Sequence, residues 1–344
     1  TDTGLPMGES DTVTLGDGLL WSYIHASDQS AGVIDQCGDP VPFPGCVVLL
    51  QSRDGGRDFT PLAGSDAPLV CQFECLRCPC DSKRDHIDQQ QYPQVARITK
   101  GDGTTEWTMV YEYRASVMVR RSPDGLKWTP AEEVPLTGIW QRWLMPCADH
   151  ERIGPHPAAP PQYDCLVGSP PGVTLARNER GEAELYLFVG LGQNPGHMGC
   201  YRGAPGSPAA TWRKCSHNPL FVGATEYGPT TVAGPAANPY FDFRTISSAD
   251  VIQVDDRHYM LYEGVRGPAP GDDGDTQFAL GLARSLTDQI DGPWETFPGN
   301  PILVDLPGNV GLGHGDLIVL DGRTYLYTSL DGVTRGRMVL RWNE

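Results

Sequence analysis

The chain runs to 344 residues, with 41 Gly, 31 Pro, 8 Trp and 13 Tyr, and carries a formal net charge of −17. That charge opposes nucleic-acid backbones and anionic bilayers, which are bound by clustered Lys and Arg, and no apolar run approaches the ~18 residues of a membrane span; a neutral ligand fits better. A length that can hold two domains is commonly used by all-β repeat proteins for one, and abundant turn formers with little helical period point to many short strands.

In chain order, Thr1-Asp2-Thr3-Gly4 is a small polar start without a basic-then-apolar leader, read as the end of a tether or a processing scar. The first apolar pair is Asp11 to Leu15 and Leu19 to His25, around the turn Gly16-Asp17-Gly18. The second, Tyr92 to Ile98 and Glu106 to Glu112, turns at Gly101-Asp102-Gly103. The third is Gly172 to Ala176 with Glu184 to Val189, the fourth Asp250 to Val254 with His258 to Glu263, and the last Asp316 to Leu320 with Thr324 to Thr328. Each copy reads as an inner hairpin of a unit that recurs about five times at roughly 65 to 90 residues.

Four copies continue into a third strand and an aromatic after a tight turn. Arg121-Ser-Pro-Asp-Gly-Leu-Lys-Trp128 is the clearest, Ser52-Arg-Asp-Gly-Gly-Arg-Asp-Phe59 a second, and Arg284-Ser285 to Trp294 and Cys200 to Trp212 are degenerate versions. These are Asp-box turns, with Asp54 and Asp124 serving the turn backbone. A four-stranded blade cannot bury both faces alone, so the expected fold is all-β: one five-bladed β-propeller over 1–344, with blades near 11–65, 88–136, 168–222, 246–303 and 312–344. The last blade shows no obvious fourth strand after Arg337 to Trp342; residues near the N-terminus complete it, or the ring stays open.

The ten cysteines are even in number. Cys37 with Cys46, Cys147 with Cys165 and Cys200 with Cys215 sit at hairpin-like separations and read as disulfides of a secreted protein, extracellular or periplasmic. Cys71-x3-Cys75-x2-Cys78-x-Cys80 is a zinc knot or two more disulfides pinning a loop; the absence of His at finger spacing favours disulfides.

If each inner strand starts at the pocket face, its antiparallel partner ends there. Strand starts then supply Asp11, Tyr92, Asp250, His314 and Asp316, and strand ends supply His25, Glu112, Gln193, Asn194, Glu263 and Asp331. Long loops carrying Trp140, Trp143, Tyr227 and Tyr240 to Phe243 open on the same face. Two carboxylates flanking a glycosidic bond supply the acid and the base or nucleophile of its cleavage. Asp11, Asp250 and Glu263 are the candidate catalytic groups. His25, Glu112, Arg266, Asp275, Gln277 and Arg335 are the candidate substrate contacts, with an oligo- or polysaccharide as partner and a monomer expected.

Several of these residues carry a family resemblance. Ser248-Ala-Asp-Val-Ile through Tyr259 to Gly264, Ala283-Arg-Ser285 through Trp294, Asn300 to Leu303, and Gly311-Leu-Gly-His-Gly-Asp-Leu317 with Asp321 to Tyr325 resemble blades of the five-bladed arabinanase, xylosidase and invertase superfamily of glycoside hydrolases. The likeness is good over the last hundred residues or so and architectural before that. It implies a His entering the last blade near the axis that helps hold a metal, commonly Ca2+ through waters; His314 matches, and Asp316 adds a hard oxygen ligand. It also implies an acidic residue on the first blade, matched by Asp11, one that tunes pKa on the third, and a general acid on the fourth, matched by Asp250 or Glu263.

The third blade opens as Gly168-Ser-Pro-Pro-Gly172, without a carboxylate. Either Asp88, Glu112 or Asp316 supplies that charge, or the chemistry differs, or the propeller binds sugar without cutting it. Asp-box turns also occur in six-bladed sialidases; of the pocket arginines Arg114, Arg266, Arg335 and Arg337, the latter three as an anion site keep a sugar phosphorylase or an acidic-sugar enzyme open. Loops that differ from blade to blade argue for one central pocket over the repeated shallow sites of a lectin.

Overall fold

The computed structural model describes residues 7–27, 45–62, 91–113, 116–136, 167–191, 196–224, 240–243, 245–266, 277–304, 315–329 and 335–341. Within them the apolar hairpins form five antiparallel sheets, and one 3-10 turn at Ala209–Thr211 is the only helical element. The first blade runs outward as β1 (Met7–Gly16), β2 (Leu19–Ser27), β3 (Gly45–Ser52) and β4 (Thr60–Pro61). The second comprises β5 (Gln91–Thr99), β6 (Thr105–Tyr113), β7 (Ser116–Ser122) and β8 (Glu132–Glu133). The third has β9 (Val167–Arg177), β10 (Ala183–Leu191), β11 (His197–Gly203) and β12 (Arg213–Lys214), with β13 (Phe221–Val222) also on β11. In the fourth, β14 (Thr245–Val254), β15 (Arg257–Arg266), β16 (Gln277–Ser285) and β17 (Trp294–Thr296) are joined by β18 (Leu303–Val304) on β16. The fifth is β19 (Asp316–Leu320), β20 (Arg323–Ser329) and β21 (Arg335–Leu340).

The inner strands touch in the order β1, β5, β9, β14, β19 and back to β1, which makes the assembly a closed five-bladed propeller. Its hydrophobic core is five wedges, one between each pair of neighbouring blades. Strand alternation explains this, because successive side chains leave opposite faces and both faces of a middle strand are covered. Along β10, Leu185, Leu187 and Val189 enter the wedge shared with the second blade, while Tyr186 and Phe188 enter the wedge shared with the fourth. On β15, Met260 and Tyr262 face the third blade and Leu261 the fifth.

The Asp-box turns hold blades to their neighbours. Asp124 accepts from Leu126 and Lys127 N–H, both at 2.8 Å, and Asp54 accepts from Arg57 and Asp58 N–H at 3.0 and 3.1 Å. Each turn presents a glycine carbonyl to a tyrosine of the preceding blade: Tyr23 donates to Gly125 O at 3.1 Å, and Tyr327 donates to Gly56 O at 2.9 Å. The turn aromatics follow the same rule, with Trp128 edge-on to Tyr23 at 5.9 Å and Phe59 edge-on to Tyr327 at 5.8 Å.

The fifth blade shows three strands among the described residues, and β1 is the innermost strand of the first. The ring therefore closes through the same tyrosine clasp that joins the first and second blades. A disulfide, Cys200–Cys215, ties β11 to the segment after β12. The expected Cys37/Cys46 and Cys147/Cys165 pairs and the Cys71 to Cys80 cluster lie wholly or partly outside the described residues.

Candidate active site

Four inner strands are irregular at one level, near their starts. Register slips by one residue between Met7 and Ser10, between Gln91 and Gln94 and between Ser247 and Asp250, and by two between Gly168 and Gly172. Tyr92 and Ser248 occupy the left-handed region there, at φ 58° and 48°. Bulges of this kind re-aim side chains next to functional sites, and repetition around the ring turns one rim of the axis into a cup.

Glu9, Tyr92, Glu112, Glu263 and His25 meet at that rim. Glu112 is opposite Gln91 and Glu263 opposite Ser247, so both mark the bulge level on second strands. Glu263 is buried and accepts from Ser247 Oγ at 3.2 Å. His25 Nδ1 lies 3.3 Å from Glu9 Oε2. Burial first, then the fields of Glu9, Glu112 and Glu263, push the Tyr92 phenol well above its ordinary range. Carboxylates from the first, second and fourth blades thus bear on one phenol.

Below the cup, Asp11, Asp250 and Asp316 bring carboxylate oxygens within 4.8 Å of one another, and all three are buried. Each reaches sideways to the next inner strand: Asp11 accepts Val95 N–H at 2.5 Å, Asp250 accepts Leu317 N–H, and Asp316 accepts Thr12 N–H at 3.1 Å. Asp316 also takes Thr12 Oγ1 at 2.6 Å and Ser10 Oγ at 3.2 Å. Burial, with the neighbouring Asp316 charge second, pushes Asp250 up to about 8. Beyond the cluster the axis continues as a cavity of about 430 Å³, lined by the later inner-strand residues such as Thr14, Arg97, Thr174 and Gln253.

The candidate residues therefore divide between two levels. Glu263, Glu112 and His25 stand at the cup, while Asp11, Asp250 and Asp316 form the buried cluster beneath it. The backbones of Arg266, Gln277 and Arg335 lie at strand ends on the cup side, Arg266 paired with Gln277 and Arg335 with Ser329. Asp275 and His314 lie outside the described residues, as do Asp88, Arg114, Gln193, Asn194 and Asp331. Arg337 stacks on Tyr325, 3.9 Å from the ring centre. Glu9 was not among the sequence candidates. In a regular strand it shares a face with Asp11, two residues on, and its separation from Asp11 comes from the bulge.

No protein-family model matches the sequence, and no curated protein matches it. Solved structures do. The Bombyx mori GH32 beta-fructofuranosidase BmSUC1 superposes with a TM-score of 0.51 at 12% identity, over 94% of this chain and 54% of its own, so the chain spans about half of that enzyme's length. A GH43 beta 1,3 galactosidase, BT3683, with galactodeoxynojirimycin gives 0.52 at 11% identity over 100% and 94% of the two chains. A protein described as a glycoside hydrolase gives 0.54 at 12% identity over 97% and 86%. At such identities the likeness is one of fold: this chain has the five-bladed propeller architecture of those enzymes.

Proposed function

We propose that the cup is the active site of a glycoside hydrolase acting on an oligo- or polysaccharide. The observation that carries this reading is the convergence of Glu9, Glu112 and Glu263 on Tyr92 at the bulged rim. Carboxylates from different blades facing one cup suit a pair divided into proton donor and base. Glu263, buried and held by Ser247, is the general acid that protonates the leaving oxygen; Glu9 is the first-blade carboxylate that attacks or activates water. In this reading Glu112, His25, Arg266, Asp275, Gln277 and Arg335 are the sugar contacts. The neighbouring folds support a carbohydrate ligand, since fructofuranosidase and galactosidase activities are named for propellers of this kind.

In this reading Asp11 and Asp250 act from below. With Asp316 they form an all-oxygen donor set suited to a hard cation such as Ca2+, with His314 as a further contact. Asp11, Asp250 and Asp316 would hold such a cation, which would supply positive charge under the cup. The buried Cys200–Cys215 disulfide supports a secreted, extracellular or periplasmic protein.

The experiment is a screen of aryl glycosides and plant or algal oligosaccharides with the wild type, Glu263→Gln, Glu9→Gln and Asp250→Asn. Turnover by the wild type should fall at least a hundredfold in both Gln variants, on the order of what a positioned acid or base contributes. Turnover indifferent to both removes them from the mechanism. Sugar bound without turnover by the wild type selects a carbohydrate-binding propeller, the reading favoured by the carboxylate-free Gly168 to Gly172 segment. Phosphate-dependent cleavage selects a phosphorylase.

A further inference from the structure

His25 carries an unanswered hydrogen-bonding atom at the rim. Its residue exposure is 9%, and Nδ1 is committed to Glu9 at 3.3 Å. Nε2 is shut off from solvent and has no hydrogen-bond partner. A buried polar atom without a partner carries its full desolvation penalty, so such atoms in native proteins call for an explanation.

The two nitrogens have different jobs. A carboxylate only accepts, so the Glu9 contact places a proton on Nδ1 and leaves Nε2 to a second partner. Among the described residues none pairs with Nε2, and a group that enters the cup can do so.

We infer that His25 is a specificity-determining residue whose Nε2 hydrogen-bonds one hydroxyl of a neutral sugar, its ring held by the contact with Glu9. Glu9 and Glu112 face the rim beside Tyr92, and carboxylates placed there repel a uronate. A sugar hydroxyl is donor and acceptor at once, so it satisfies Nε2 in either role. This inference rests on the reading of the cup as a sugar site, and narrows it to uncharged sugars held through one defined hydroxyl.

Two measurements test it. Nitrogen-detected NMR of the ligand-free protein should show His25 protonated on Nδ1; a ring bare on Nδ1 overturns the assignment without reference to any sugar. Calorimetric titration then compares D-xylose, L-arabinose, D-galactose, D-fructose and D-galacturonate. At least one neutral sugar should bind the wild type and weaken tenfold or more in His25→Phe, which keeps the ring and removes both nitrogens, with partial recovery in His25→Gln. Circular dichroism establishes that the variants are folded. A neutral sugar bound equally well by folded His25→Phe overturns the role of His25 and leaves the sugar site standing. Preferential binding of galacturonate overturns the neutral class. Failure of every sugar to bind the wild type overturns the sugar-site reading, and this inference with it.

Discussion

Asp250 shows how much one side chain depends on what the fold places around it. Its carboxyl is pushed up to about 8 by burial and by Asp316, against the N–H groups of Leu317 and Val251, which favour the charge. The unfolded chain releases that proton near pH 4 and the folded protein near 8, so the folded state is the better proton binder throughout the interval. Stability contributed by this group is therefore lost as pH rises from about 4 to 8, on the order of 1 kcal/mol per pH unit. His258, which burial lowers, opposes the trend up to its ordinary range, and the lowered carboxyls of Asp54 and Asp124 titrate only below the interval. The group is isolated by difference: in EDTA, urea-unfolding midpoints measured from pH 5 to 8 should decline more steeply in the wild type than in Asp250→Asn. Equal slopes would mean that Asp250 carries no proton at neutral pH.

The turns that end the first and third strands of the second blade work as elements, and their glycines differ in what surrounds them. Gly103 has φ 82° with nothing within 4 Å of an added Cβ, whereas Gly125 has φ 75° and an added Cβ would stand 2.7 Å from Tyr23 Oη and 3.0 Å from Trp21. The first asks only for a left-handed backbone; the second also needs the space, because the Asp-box turn is pressed into the neighbouring blade. Gly103→Ala should cost about 1 kcal/mol from backbone strain alone, and Gly125→Ala about 2 to 4 kcal/mol as overpacking is added. Chemical denaturation of both variants decides it, and equal losses would mean that the Tyr23 clasp yields freely. The bulges at the rim are elements of the opposite kind. Nothing in Glu9-Ser-Asp11 announces an extra residue, and Pro93 in Tyr92-Pro-Gln94 marks only a place where a strand tolerates one, since pairing with the partner strand defines it.

At the scale of the molecule the question is how the ring closes. The seam between the fifth and first blades carries Tyr327 to Gly56 O and the Asp316 contacts to Thr12 and Ser10, and the join between the first and second carries Tyr23 to Gly125 O and Asp11 to Val95 N–H. If the seam is an ordinary blade contact, Tyr327→Phe and Tyr23→Phe should destabilise by similar amounts, about 1 to 2 kcal/mol each. A loss several-fold larger at Tyr327 in urea titrations would mark the seam as the weak point of the ring.

The sequence by itself determined the all-β class, the five inner hairpins and the turns between them, because strand alternation, Asp-Gly turns and their spacing are local properties of the chain. It also placed Glu112, Glu263 and His25 at one rim, since antiparallel pairing is enough to sort strand ends. Only the tertiary structure decided that Asp11, Asp250 and Asp316 are drawn together below that rim and that Glu9 stands above. Those positions depend on single-residue slips in register and on the approach of neighbouring inner strands, which arise from contacts between residues up to 306 positions apart.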